Sequence, residues 1–157
     1  MTKMSDRTVS RRSAFTAVGV GALAATGLAA RAEASNAEAA NIKICEAAIG
    51  CVAGTSCDSK TLADYLADDC VLQLEENQPP VTGKAAGIAA FERFFATGAR
   101  VASTIQGVHA QGSLVVIRRI DEVTYKADAS KRTFTLAGVF TLKDGKIHQW
   151  IDMAVKV

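Results

Sequence analysis

Residues 113–126 read SLVVIRRIDEVTYK, a run in which apolar and polar side chains alternate. A period of two is typical of a β-strand that has one face on a hydrophobic core. Arg119 and Asp121 then share a strand face with Ile117 and Val123. Charges on an apolar face are costly to bury unless they pair or take part in chemistry. This strand therefore predicts both a central element of the sheet and a candidate site.

Strand-like segments flank this run on both sides. The predicted strands cover residues 100–110, 113–126, 132–142 and 146–155. Asp144-Gly145 between the last two is a strong hairpin signal. On the last strand, Trp150 and Asp152 share one face. Two carboxylates and one guanidinium, from Asp121, Asp152 and Arg119, are a sufficient set for general acid/base chemistry.

Helical spacing precedes these strands. The predicted helices cover about residues 37–53, 60–66 and 85–96, with a strand at 70–74 and a loop at 75–83 after the second helix. Helices followed by a meander of strands indicate an α+β fold. We expect three N-terminal helices packed on a strongly curved mixed or antiparallel sheet, which together enclose a cone-shaped pocket.

The first 34 residues have the pattern of an export signal. A basic segment ends at Arg11-Arg12, a weakly apolar stretch rich in Ala and Gly follows, and small residues at Ala30, Ala32 and Ala34 offer cleavage sites. The paired arginines favour the twin-arginine type, and an uncleaved membrane anchor is the alternative. We expect a periplasmic or secreted protein whose residues 35–157 form one domain with no stable membrane insertion.

The charge balance of that domain excludes a nucleic-acid partner. Five basic and two acidic residues precede residue 35, so the remainder holds 13 basic and 14 acidic side chains. A surplus of basic residues, which nucleic-acid binding requires, is missing. We therefore expect a small-molecule partner.

The cysteines leave two interpretations open. Four of them, an even number, suit disulfides in an oxidising compartment; they are Cys45, Cys51, Cys57 and Cys70. Cys51 with Cys57 and Cys45 with Cys70 would be one of three connectivities, and simple burial as small apolar side chains is the alternative. Their spacing is not that of a zinc site, so neither a metal nor another cofactor is expected.

Residues 66–152 resemble limonene-1,2-epoxide hydrolase. The resemblance rests on Leu66-Ala67-Asp68-Asp69, Pro79-Pro80, Arg119-Ile120-Asp121, Leu136-Ala137-Gly138-Val139-Phe140, and the ending Asp144-Gly145-Lys146-Ile147 to Trp150-Ile151-Asp152. That ending is shared by the wider superfamily of nuclear-transport-factor-2-like and SnoaL-like proteins and ketosteroid isomerase. The superfamily often forms dimers, so a homodimer is expected on that resemblance alone.

The resemblance implies a role for each charged residue. Asp152 would remove a proton from water, Asp121 would protonate the epoxide oxygen, and Arg119 would bridge the two carboxylates. The family's water-holding Tyr and Asn fall at Leu72 and Leu74. We expect these two leucines, with Tyr125 and Trp150, to contact a small apolar substrate.

Two other functions remain open at this point. The first is a non-catalytic module that binds a hydrophobic ligand or dimerises, in which the charged residues form a buried ion-pair network. The second is an isomerase or dehydratase of the ketosteroid-isomerase type, in which Asp121 or Asp152 moves a proton next to a carbonyl.

Overall fold

The long strand predicted at 113–126 lies inside a six-stranded sheet. A computed structural model describes the backbone of residues 20–54 and 59–155, and the side chains from residue 35 onward within those ranges. The elements are α1 (Val20–Ala53), α2 (Ser59–Ala63), β1 (Leu66–Gln73), β2 (Val81–Thr82), α3 (Lys84–Ala96), β3 (Arg100–Gln111), β4 (Leu114–Thr124), β5 (Lys131–Lys143) and β6 (Lys146–Ala154). The strand order is β2-β1-β6-β5-β4-β3.

The sheet is mixed, as predicted. The pair formed by β1 and β6 is parallel, and every other neighbouring pair is antiparallel. The register of β3 on β4 shifts between Ile105 and Gly107, and that of β5 on β6 shifts between Thr141 and Leu142, where His148 of β6 has no partner on β5. Such irregularities increase the local twist and bend of a sheet. The helices pack on this curved sheet, so the predicted α+β fold is confirmed.

The alternation along β4 is confirmed by burial. Val115, Ile117, Arg119, Asp121 and Val123 are all buried, and the residues between them are half-buried or exposed. Arg119 and Asp121 thus face inward among apolar neighbours, because alternate residues of a strand share one face.

Aromatic and aliphatic side chains fill the space between the sheet and the helices. Trp150 and Phe140 have ring centroids 5.1 Å apart, and Phe91 on α3 lies 5.7 Å from Trp150. Cys45 and Ile49 on α1 are buried in the same core. Near its middle, α1 is tied to the β3–β4 turn, because Gly112 N donates to Glu38 and Asn41 donates to Gly112 O. These contacts hold the part of α1 from Glu38 onward against the sheet.

Several predicted boundaries differ from the observed ones. The first helix begins at Val20, far before residue 37, and α2 ends at Ala63. β1 begins at Leu66 rather than residue 70, even though Asp68 and Asp69 disfavour a strand. Leu66 pairs with Ile147 of β6, and the two aspartates lie where the register then shifts, before Val71. There Asp68 forms an ion pair with Lys84, and Asp69 contacts His148. The two-residue strand β2 lies in the predicted loop and pairs with β1.

The chain divides into two compact units, Met1–Ala32 and Glu33–Val157. The predicted export signal up to residue 19 and Cys57 lie outside the described residues. In the part that is described, no helix is both long and apolar enough to cross a membrane.

A bridge between Cys45 and Cys70, one of the pairings that the sequence allows, is not formed. Both residues are free thiols with no exposed surface. They are therefore small buried apolar side chains, which is the other interpretation that the sequence allows.

Candidate functional site

Arg119 joins the two predicted carboxylates at the centre of the sheet. Its Nε donates to both carboxylate oxygens of Asp121, at 3.1 Å to Oδ1 and 3.0 Å to Oδ2. Its Nη1 and Nη2 donate to Oδ1 and Oδ2 of Asp152, at 3.0 Å and 2.6 Å. Two parallel bonds of this kind fix direction as well as distance. We call Arg119, Asp121 and Asp152 the charged trio.

A glycine on β5 makes room for this arrangement. Gly138 pairs with Ile117 on one side and with Asp152 on the other. A Cβ atom at Gly138 would lie 2.7 Å from Arg119 Nη1 and 3.1 Å from Asp152 Oδ1. The guanidinium therefore crosses β5 to reach β6 through a space that any other residue would partly fill.

Two neutral side chains complete the hydrogen bonding of the trio. Trp150 Nε1 donates to Asp152 Oδ1 at 2.9 Å, and Ser103 Oγ on β3 donates to Asp121 Oδ1 at 2.6 Å. Among the described residues, no buried side-chain nitrogen or oxygen lacks a partner. Trp150 was expected at the site as a substrate contact, and the structure adds that it binds the carboxylate.

Sequence reasoning missed Ser103. Its position directly opposite Asp121 follows from the register of β3 and β4. The only signal in the sequence is one polar side chain between the apolar Val101 and Ile105, which share its strand face. That signal gains meaning only when the register is known.

The trio is almost closed to solvent. Arg119 is 3% exposed, Asp121 7% and Asp152 6%. Burial alone would lower the pKa of the Arg119 guanidinium, but the hydrogen bonds and charges of Asp152 and Asp121 outweigh it and hold that pKa above its ordinary value. Arg119 is thus a permanent cation.

The charge count suits acid/base chemistry. One guanidinium neutralises one of the two carboxylates. Acid and base roles for the two carboxyls require that one carry a proton while the other is ionised. Such a cluster offers a proton donor and a proton acceptor on either side of one cation.

The four predicted substrate contacts lie in different surroundings. Leu72 is 1% exposed and packs beneath α3, where a Cβ atom on Gly87 would lie 2.5 Å from its Cδ1. Leu74 is half-buried against the same core. Trp150 is buried beside Asp152, as described above. Leu72 is thus a core residue under a helix.

Tyr125 borders a cavity among the described residues. This cavity has a volume of about 720 Å³, and its wall includes Val52, Phe95, Ala99, Val101 and Tyr125. Arg132 lies over the Tyr125 ring, at 5.5 Å from its centroid. The size is in the usual range of small-molecule pockets.

None of the charged trio is part of the wall of this cavity. The connection is Val101, which lies two residues before Ser103 on the same face of β3. Two residues along a strand span about 7 Å, so the cavity ends roughly one side chain away from Ser103 and Asp121. A ligand in the cavity would approach the trio from the Asp121 side.

The described residues offer no group of three or more His, Cys, Asp or Glu side chains that could hold a metal ion.

Comparisons with known proteins agree with the fold. A model of the SnoaL-like domain family matches residues 52–150. The chain is similar to the solved structure of an epoxide hydrolase of Mycobacterium tuberculosis related to limonene-1,2-epoxide hydrolase, with a TM-score of 0.66, 21% identity, and 75% of this chain and 84% of that chain covered.

Two further structures show the range of this likeness. One is the epoxide hydrolase/cyclase-like enzyme SalBIII of polyether salinomycin formation, with a TM-score of 0.64, 18% identity and coverage of 73% and 90%. The other is a hypothetical protein of Catenulispora acidiphila with a ketosteroid isomerase-like fold, with a TM-score of 0.63, 19% identity and coverage of 70% and 83%. At these identities the likeness shows the fold. No curated protein sequence matches.

Proposed function

Because this chain belongs to the SnoaL-like domain family, we propose that it is an exported enzyme that adds water to a small apolar epoxide. The observation that carries the proposal is the bridging of two buried carboxylates by Arg119. Similarity to two structures described as epoxide hydrolases or epoxide hydrolase/cyclase-like supports it.

The reaction assigns one proton transfer to each carboxylate. Asp152 removes a proton from water as the water oxygen attacks an epoxide carbon. The C–O bond of the ring breaks, and the epoxide oxygen takes the proton of Asp121. When the diol leaves, Asp152 carries the proton taken from water and Asp121 is ionised. Exchange with solvent then removes the proton from Asp152 and restores one to Asp121. Concerted attack and protonation avoid a free alkoxide, which a buried site would not stabilise.

Arg119 contributes by holding both carboxylates while staying charged. Its paired bonds to Asp152 and its Nε bond to Asp121 keep the acid and the base at a fixed separation. Fixed geometry of this kind can supply a large part of a rate enhancement. The trio would therefore act as one unit.

Leu72 and Leu74 set a condition on this mechanism. Neither side chain can hydrogen-bond a water molecule, and Trp150 Nε1 is already bonded to Asp152. The attacking water would then be held chiefly by Asp152 and the walls of the site. We expect slow turnover. We also expect a preference for apolar substrates, which displace all water but the attacking molecule from the site.

The test is diol formation by the purified mature protein from cyclohexene oxide and styrene oxide, followed with ¹⁸O-labelled water. We expect one labelled oxygen per diol, and a loss of about 100-fold or more in kcat for Asp152→Asn, because the base is removed. Asp64→Asn is the matched control, since Asp64 is exposed and away from the trio. Turnover that is unchanged in Asp152→Asn would rule out the assigned roles.

A second candidate function is the binding of a hydrophobic ligand without turnover. It is favoured by the position of the trio, whose hydrogen bonds are complete and which does not form part of the cavity wall. The purified mature protein of the epoxide assay also distinguishes the two candidate functions. A lipid-like or terpenoid molecule that co-purifies, with no diol from any epoxide, would support the binding module.

Export and dimerisation stay predictions of the same proposal. Cell fractionation checks whether the chain is periplasmic or secreted. Light scattering of the mature protein checks for a homodimer.

A further inference from the structure

We propose that Ser103 is a positioning residue for this reaction, which orients the Asp121 carboxyl so that Oδ2 carries the proton given to the substrate. The inference rests on the proposed epoxide-opening function. Ser103 would act through Asp121 and would not bond the reacting atoms.

The two oxygens of Asp121 have unequal surroundings. Oδ1 accepts from Ser103 Oγ at 2.6 Å and from Arg119 Nε at 3.1 Å. Oδ2 accepts only from the same Nε, at 3.0 Å. The short Ser103 bond is thus the contact that makes the two oxygens different.

This inequality decides where a proton can be placed. A proton on Oδ1 would face two N–H or O–H donors and would break at least one of their bonds. A proton on Oδ2 leaves both bonds to Oδ1 intact and meets only the shared Nε–H. Protonation at Oδ2 therefore costs fewer hydrogen bonds, and Ser103 is the group that sets this preference.

Ser103 also lies on the side from which a substrate would arrive. On the inner face of β3 it stands between Val101, which is part of the cavity wall, and Ile105, which is 38% exposed. Ser103 is half-buried, and it is the polar side chain of these three residues. Because Oδ1 already accepts from both Ser103 and Arg119, Oδ2 is the oxygen with room to give a proton to the epoxide.

The arrangement is built by the sheet itself. Ser103 and Asp121 are directly opposite one another in the β3–β4 register. Side chains in this relation have Cβ atoms about 5 Å apart, which lets a short hydroxyl reach a carboxylate without strain. The hydroxyl is therefore held by strand pairing.

Three substitutions at one position test the role. Ser103→Ala removes the hydroxyl, Ser103→Cys keeps the size but offers only a weak donor, and Ser103→Thr keeps the hydroxyl. Thr104→Ala is the matched control, since Thr104 is the next residue of β3 and is exposed on the outer face. Diol formation from cyclohexene oxide is measured as kcat and KM, well below each variant's Tm.

We expect kcat to fall about tenfold in Ser103→Ala and Ser103→Cys with KM changed less than about twofold, because the acid loses its orientation but substrate binding does not change. Ser103→Thr should recover at least about a third of the wild-type kcat, and Thr104→Ala should match the wild type. A purely steric role would leave Ser103→Cys active and impair Ser103→Thr.

The outcomes separate this inference from the proposed function. If the wild type opens no epoxide, both are overturned. If the wild type and Ser103→Ala have the same kcat, or if Ser103→Thr is as slow as Ser103→Ala, the positioning role is overturned while the epoxide hydrolase survives.

Discussion

At the scale of single residues, Arg119 is the group whose loss should cost the most stability. Substitution Arg119→Leu would leave Asp121 and Asp152 buried without their cation. We expect a loss of about 3–5 kcal/mol in the free energy of unfolding, as for other buried charges that lose a partner. Urea denaturation at pH 7 measures it.

Two variants serve as controls for this prediction. Arg118→Leu changes the neighbouring residue, which is exposed on the outer face, and should alter stability by no more than about 0.5 kcal/mol. The triple variant Arg119→Leu, Asp121→Leu, Asp152→Leu should recover most of the loss, because no buried charge remains. If Arg119→Leu costs no more than Arg118→Leu, the trio is not a coupled unit.

At the scale of elements, β5 is the strand that permits contact between β4 and β6. Gly138→Ala would place a Cβ atom 2.7 Å from Arg119 Nη1 and 2.9 Å from Phe140 Cε2. We expect a loss of about 1–3 kcal/mol, since overpacking forces neighbours out of place. Diol formation should fall by more than that loss of stability explains, because the guanidinium is displaced from Asp152.

The chain offers a matched control on another strand. A Cβ atom at Gly107 on β3 would meet no atom within 4 Å. Gly107→Ala should therefore be neutral or stabilising by up to about 1 kcal/mol. Calorimetry measures the stability of both variants, and the rate of diol formation measures their activity. A Gly138→Ala protein with wild-type activity would mean that the trio tolerates a shifted guanidinium.

The same strands show what a sequence can and cannot predict. The alternation along β4 was sufficient to place Arg119 and Asp121 on the inner face, because parity fixes which side chains share a face. Ser103 was missed because its role depends on the β3–β4 register, which is a tertiary property. Leu72 is buried under α3, because Gly87 lets that helix approach β1 closely, which the sequence did not predict. Its contact with a substrate stays a prediction.

At the scale of the whole molecule, the helices and the sheet share one core that keeps two thiols out of reach. Cys45 on α1 and Cys70 on β1 have no exposed surface. Burial, with a smaller contribution from Glu46, raises the pKa of the Cys45 thiol to about 12. Burial also raises the pKa of the Cys70 thiol. Since thiolates are the reactive form, both residues should resist alkylation while the domain is folded.

This protection also makes the folded state sensitive to alkaline pH. The pKa of Cys45 is higher in the folded chain than the ordinary value of 9.0. Its contribution to stability is therefore complete below about pH 9, and it is lost as the pH rises from there toward about 12.

We expect iodoacetamide at pH 8 to label Cys45 and Cys70 slowly in the folded protein and rapidly in guanidinium, as read by peptide mass spectrometry. Native labelling should accelerate as the pH is raised. Rapid labelling of Cys45 at pH 8, or a disulfide-linked peptide containing Cys45 and Cys70, would show that the core opens far more readily than the packing of α1 on the sheet implies.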